Sequence, residues 1–248
     1  MNGPLKAFRR WRLRRRPFPE AWRAHLRRHL ACHARMPDEW RERYERMVQA
    51  FVAEKHWIPA AGMRITDEVK VVIAGAACRL VLRLDLSYLD RLTEIVVYPH
   101  AYRHEGDRAV ILGEAHHWGT VVLSWPAVLA GLADPCDGHD TAVHEFAHVL
   151  DRDAGSFNGT PFLRARADYA PWAQVMMAHF ERLRAGAIDP ELLRSYGATN
   201  PAEFFAVATE AFFERPDALQ QEMPDLYAVM RRFYGGDPFT WGLCPTRL

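Results

Sequence analysis

His144-Glu145-Phe146-Ala147-His148 has the form H-E-x-x-H. Residues four apart on an α-helix share one face, about 6 Å along the axis. His144 and His148 can therefore aim two imidazoles at one metal ion. Glu145 is turned off that face but stays beside it, where it can take a proton from a water that the metal activates. The pattern requires a helix, and its neighbours supply one. Ala142, Val143, Phe146, Ala147, Val149 and Leu150 form an apolar run without Pro or Gly. Asp140 or Thr141 is the predicted N-cap, and Gly155 follows Asp151 as a stop. The competing reading is a buried helix with two incidental histidines.

Catalytic zinc takes three protein ligands and a water, so a third ligand must be found. No H-x-x-G-x-x-H continuation follows His148, which excludes the metzincin pattern. Asp151 shares the histidine face but sits ~10 Å along the axis from His144, too far for a short carboxylate. It is predicted to be an outer acceptor or a helix-end residue. Further on, Glu203 and Glu210 are seven residues apart, on one face of a helix predicted from Pro201 to about Glu214. The opposite face carries Phe204, Phe205, Ala208, Ala211 and Phe212. Glu203 has two readings of equal weight. It can ligate a metal, or it can complete a helix cap with Asn200 as N-cap and Pro201 at the first helical position. Glu210 is the next candidate ligand.

The rest of the chain must position these groups. The 248 residues, 49% hydrophobic and 25% charged, are those of a soluble globular protein with a full core. A net charge of +1 gives no global field, so no direct nucleic-acid partner is expected. Cys32, Cys78, Cys136 and Cys244 are dispersed, which argues against a cysteine zinc site and a disulfide scaffold. No run reaches the ~18 apolar residues of a membrane span, and no apolar core follows Arg9-Arg10 as an export signal needs. These features predict a cytoplasmic protein with no membrane partner. Residues 1–17 read as a basic arm, solvated in the simplest case and adhering to an acidic surface or RNA in the alternative.

Amphipathic helices are predicted over 19–33 and 37–57, and a broad apolar stripe after Thr66 predicts a central buried helix. Strands are predicted at 93–98, 109–112 and 119–125, the last two as a hairpin around Glu114 to Trp118. Helices then dominate to Tyr234, and Phe239 and Trp241 predict a packed C-terminal tail. The fold class is α+β, mostly helical, with a small sheet before the H-E-x-x-H helix. A basic arm and helical extension occupy 1–58, and the catalytic unit occupies 59–248, in one compact body or two. A strand pair just before such a helix suits a peptidase, because an extended peptide can add to the sheet edge.

Val122-Leu123-Ser124-Trp125, Gly138-His139, His144 to Asp151, Tyr196 and Asn200 to Val207 occur in an order that resembles the Mlc titration factor A family of zinc-dependent peptidases. The resemblance spans roughly residues 60–235. It implies a bacterial, cytoplasmic, zincin-like protein of gluzincin type, akin to the catalytic core of anthrax lethal factor. It further implies His144, His148 and Glu203 as ligands of Zn2+, Glu145 as general base, and Tyr196 as a hydrogen-bond donor to the tetrahedral intermediate. The expected substrate is a peptide or protein, cleaved as an endopeptidase or an aminopeptidase. The family's named member binds and inactivates the Mlc glucose repressor, so an Mlc-like transcriptional repressor is an expected partner. A regulatory binding protein with a non-catalytic zinc site is the second reading.

Overall fold

A computed structural model of the chain describes residues 8, 10–13, 15–101, 113–116, 119–152 and 158–238, without the side chains of His116 and Arg152. The predicted strand at 109–112 and the Phe239–Trp241 tail lie outside the described residues.

Three helices open the body: α1 (Glu20–His29), α2 (Ala31–Arg35) and α3 (Asp38–Glu54). The stretch 19–33 is not one helix, because Leu30 leaves helical geometry at φ −118°, ψ 97°. The central helix α4 (Asp67–Leu80) starts where Thr66 Oγ1 accepts the Val69 N–H. Every residue from Val71 to Leu80 is buried, so α4 has no solvent face over that length. Leu26, Tyr44 and Phe51 from α1 and α3 pack in the same core as Val72 and Ala76 of α4 and Phe146 beyond.

The sheet contains β1 (His56–Pro59), β2 (Glu94–Tyr98), β3 (Gly113–His116) and β4 (Thr120–Ser124), in the spatial order β1-β2-β4-β3. β1 pairs parallel to β2 and β2 parallel to β4, with Ile95 opposite Val121 and Val97 opposite Leu123. Those four side chains are fully buried on one face; β2 alternates as a half-covered strand does, whereas Val122 and Ser124 of β4 are buried too. β3 runs antiparallel to β4 at the sheet edge, with Gly113 opposite Leu123. The hairpin exists, but Glu114, Ala115 and His116 belong to the strand and not to its turn. β1 was not expected. It takes the end of the predicted 37–57 helix, and Pro59 fits there because an edge strand can lack one donor.

After the sheet in chain order come α5 (Trp125–Ala133), α6 (Thr141–Arg152), α7 (Tyr169–Arg184), α8 (Pro201–Glu214), α9 (Pro216–Glu222) and α10 (Pro224–Tyr234). A 3₁₀ turn, Ser195–Ala198, leads into α8. α6 packs against α8, α4 and the edge strand β3. Phe146 is wholly buried there and meets Phe51 edge-on at 6.1 Å. Truncating such a ring costs about 3–5 kcal/mol, so the helix that carries the H-E-x-x-H residues is firmly seated. The structure is mostly helical with a small mixed sheet, in agreement with an α+β zincin-like fold.

Candidate metal centre

Local sequence sets the start of both site helices. Asp140 caps α6, its Oδ1 accepting the Val143 N–H at 3.0 Å. Asn200 caps α8, its Oδ1 accepting the Glu203 N–H at 3.0 Å. The two readings of Glu203 are therefore compatible. Its backbone completes the cap while its carboxylate is free to turn into the cleft.

That carboxylate meets both histidines. His144 Nε2 lies 3.0 Å and His148 Nε2 3.3 Å from Glu203 Oε2, and the two Nε2 atoms are 3.2 Å apart. Among the described residues, His144, His148 and Glu203 are the one group of three whose ligand atoms converge closely enough to hold a metal ion. Both histidines are buried but border a cleft of about 390 Å³, with Gly113 to Ala115 of β3 on one wall and Tyr196 and Asn200 on another. A larger cavity of about 790 Å³ between α7 and α10, lined by Trp172, Val229 and Arg232, contains none of these groups.

Behind the ligands stands a second row of charge. Glu210 Oε1 accepts from His144 Nδ1 at 2.8 Å and from Arg194 Nη2 at 2.5 Å, while Oε2 accepts the Asp140 N–H at 2.8 Å. Deeper still, Arg79 of α4 donates to Asp140 Oδ2 at 2.7 Å and lies 3.8 Å from Glu214 Oε1. Glu203, Glu210 and Glu214 thus form one carboxylate stripe along α8, facing α6. Arg79 and Glu214 were not singled out from sequence. The available signal was an arginine inside the apolar run of α4, which a buried helix tolerates only when the charge is paired.

The electrostatics follow from this crowding. Burial disfavours charge on His144, yet Glu203 and Glu210 overcome it and lift its pKa to about 10. Burial opposes the Glu203 carboxylate too, but the two histidines hold it down at about 2. The site without metal is therefore an ion pair, with a proton that a cation would displace. Burial pushes Glu145 up to about 7 against the pull of His144 and His148. A carboxylate poised there can both accept and return a proton near neutral pH.

Tyr196 is half exposed, and its ring centroid lies 5.8 Å from that of His144. Burial raises its hydroxyl above the ordinary value, with Glu203 and Glu145 adding to the rise. It stays protonated at neutral pH and able to donate. Asp151 does not reach the cleft. It is buried at the end of α6, where Oδ2 accepts the Gly159 N–H at 3.0 Å. Gly159 has φ +76°, and a Cβ on it would lie 2.4 Å from Pro201 O, so this glycine clamps the end of α6 to the start of α8.

Comparison with known proteins agrees with this geometry. Residues 5–235 match the family model of the glucose-regulated metallo-peptidase M90. An uncharacterised protein of Synechocystis is 36% identical, over 92% of this chain and 89% of its own length. Mlc titration factor A of Edwardsiella ictaluri is 32% identical, over 90% of this chain and 88% of its own. Mlc titration factor A of Pectobacterium atrosepticum is 30% identical, over 88% and 87%.

Proposed function

The chain belongs to the glucose-regulated metallo-peptidase M90 family, and we propose from that premise that it is a zinc-dependent peptidase with His144, His148 and Glu203 as ligands. The observation that carries the reading is the convergence of His144 Nε2, His148 Nε2 and Glu203 Oε2, with mutual distances of 3.0 to 3.3 Å, on a cleft beside Glu145. Tetrahedral zinc with ligands at about 2.0–2.2 Å holds them roughly 3.3 Å apart, so the donor set fits. Two imidazoles and one carboxylate also leave a fourth position for water or substrate, as a catalytic site requires.

A zinc ion held by these residues would supply a Lewis acid, able to acidify water and polarise a peptide carbonyl. The chain supplies the rest. Glu145 takes the proton of the attacking water and passes it to the departing amine. The Tyr196 hydroxyl donates to the oxygen that gains charge. Substrate lies along β3, the outermost strand of the described sheet on the cleft side, where backbone groups can pair with an extended peptide. The test is Glu145→Gln, assayed with dye-labelled casein and a peptide library. Zinc content should remain at one per chain, while turnover falls by a factor of roughly 10²–10⁴. Full activity in that variant would overturn the assignment.

A second role is favoured by the name of two relatives, Mlc titration factor A, which implies that those proteins bind the Mlc repressor. We propose that this chain also takes a repressor of that kind as a cytoplasmic partner. Binding that survives Glu145→Gln in a pull-down would separate this role from hydrolysis.

A further inference from the structure

The arginine-rich segment ahead of α1 takes no part in the site, yet its described residues have a definite shape. Residues 10–13 are helical, and the Arg15 and Arg16 N–H groups bond back to Arg12 O and Leu13 O. Arg10 fastens the segment to the body, with Nε 2.7 Å from Glu54 Oε1 and Nη2 2.7 Å from Asp90 Oδ1. Leu13 packs against the core. The outward side is different. Phe8 and Trp11 are 54% and 46% exposed and stack on each other, with centroids 5.7 Å apart and planes 22° from parallel. The Arg15 guanidinium lies 3.9 Å from the centre of the Trp11 ring. Arg12, Arg15 and Arg16 are exposed around the pair, and no acidic residue occurs before Glu20.

Large apolar rings left in water beside unneutralised arginines need a destination that is apolar and anionic together. The interface of an anionic bilayer is such a place. Aromatic rings settle at the headgroup level, and each arginine near the surface gains from the negative potential. Single-stranded nucleic acid is the competing partner, but it binds by stacking bases on open ring faces. Trp11 is already engaged by Phe8 and Arg15. We propose that Phe8, Trp11, Arg12, Arg15 and Arg16 form a docking surface for an anionic phospholipid bilayer, held on the protein by Arg10. The chain is then a peripheral protein at the membrane surface. This fits the described helices, none of which is long and apolar enough to cross a membrane. The proposal is independent of what the cleft hydrolyses.

The experiment is co-sedimentation of the full chain with vesicles of phosphatidylcholine alone, or with about a third of phosphatidylglycerol. Binding should appear on the anionic vesicles only and weaken as salt screens the arginines. Equal binding to both vesicles, or to neither, would overturn the proposal without any variant. Reversing Arg12, Arg15 and Arg16 to Glu should weaken binding by 100-fold or more, since each arginine contributes a factor of about five. Phe8→Ser with Trp11→Ser should weaken it about tenfold on the same vesicles. Wild-type affinity in either variant, or tighter binding to polyuridylate than to anionic vesicles, would also sink it.

Discussion

His144 donates its Nδ1–H to Glu210 Oε1 across 2.8 Å, and this bond turns Nε2, whose proton a cation would displace, towards His148 and Glu203. Both oxygens of Glu210 are acceptors here, from His144 and Arg194 on one side and the Asp140 N–H on the other. An imidazole facing such a carboxylate must carry its proton on Nδ1. The orientation of one proposed ligand is therefore fixed by a residue that does not itself reach the cleft.

The two glutamates should separate in metal analysis. Glu203→Ala removes a proposed ligand and should abolish stoichiometric zinc. Glu210→Ala removes only the support of His144 and should weaken zinc by about 10–100-fold. It should also lower stability, because Arg194 loses its partner. Chelator competition on purified variants measures both, and the reverse order would move the third ligand to Glu210.

Legibility in the sequence followed the range of the forces involved. His144, Glu145 and His148 are set by the helical repeat alone, so their grouping was visible without neighbours. Glu203 was ambiguous because one short segment supports both a cap and a carboxylate pointing away, and the structure has both. β3 was invisible for a different reason. Gly113-Glu114-Ala115-His116 has no β-branched residue, and it is a strand through its pairing with β4. β1 likewise depends on β2 for its extended form. The Arg79–Asp140 pair joins residues 61 apart in sequence, and no local pattern announces it.

Glu214 should make stability depend on pH. It is fully buried, and burial pushes its carboxyl up to about 9, with Asp140 adding and Arg79 opposing. A pKa raised on folding means that the folded chain holds a proton which the unfolded chain has released. The contribution to stability is full below the ordinary carboxyl pKa of 4.5 and is lost as pH rises towards 9. Glu214→Gln keeps an acceptor for the Gly138 N–H, which Glu214 Oε2 now holds at 3.1 Å, and cannot ionise. Its melting temperature relative to wild type should therefore increase with pH, by about 3 °C or more between pH 5 and pH 9. A difference that is flat across that range would show that Glu214 keeps an ordinary pKa.

Gly113 should matter to the proposed reaction although it has no side chain. A Cβ built there lies 2.6 Å from Glu145 Cγ and 2.8 Å from its Oε1. β3 is pinned by its pairing with β4, so in Gly113→Ala the Glu145 side chain has to give way. None of the three ligands is touched, and zinc affinity should stay within about threefold. The general base is displaced instead, so kcat should fall by roughly 10²-fold with KM nearly unchanged. A strand that is merely weakened would give the same loss in any background, and a steric conflict would not. Glu145→Asp removes one methylene and relieves the crowding. It should therefore cost less activity with Ala at 113 than with Gly, a coupling that a double-mutant cycle reads directly. Additive losses would mean that β3 and Glu145 act separately.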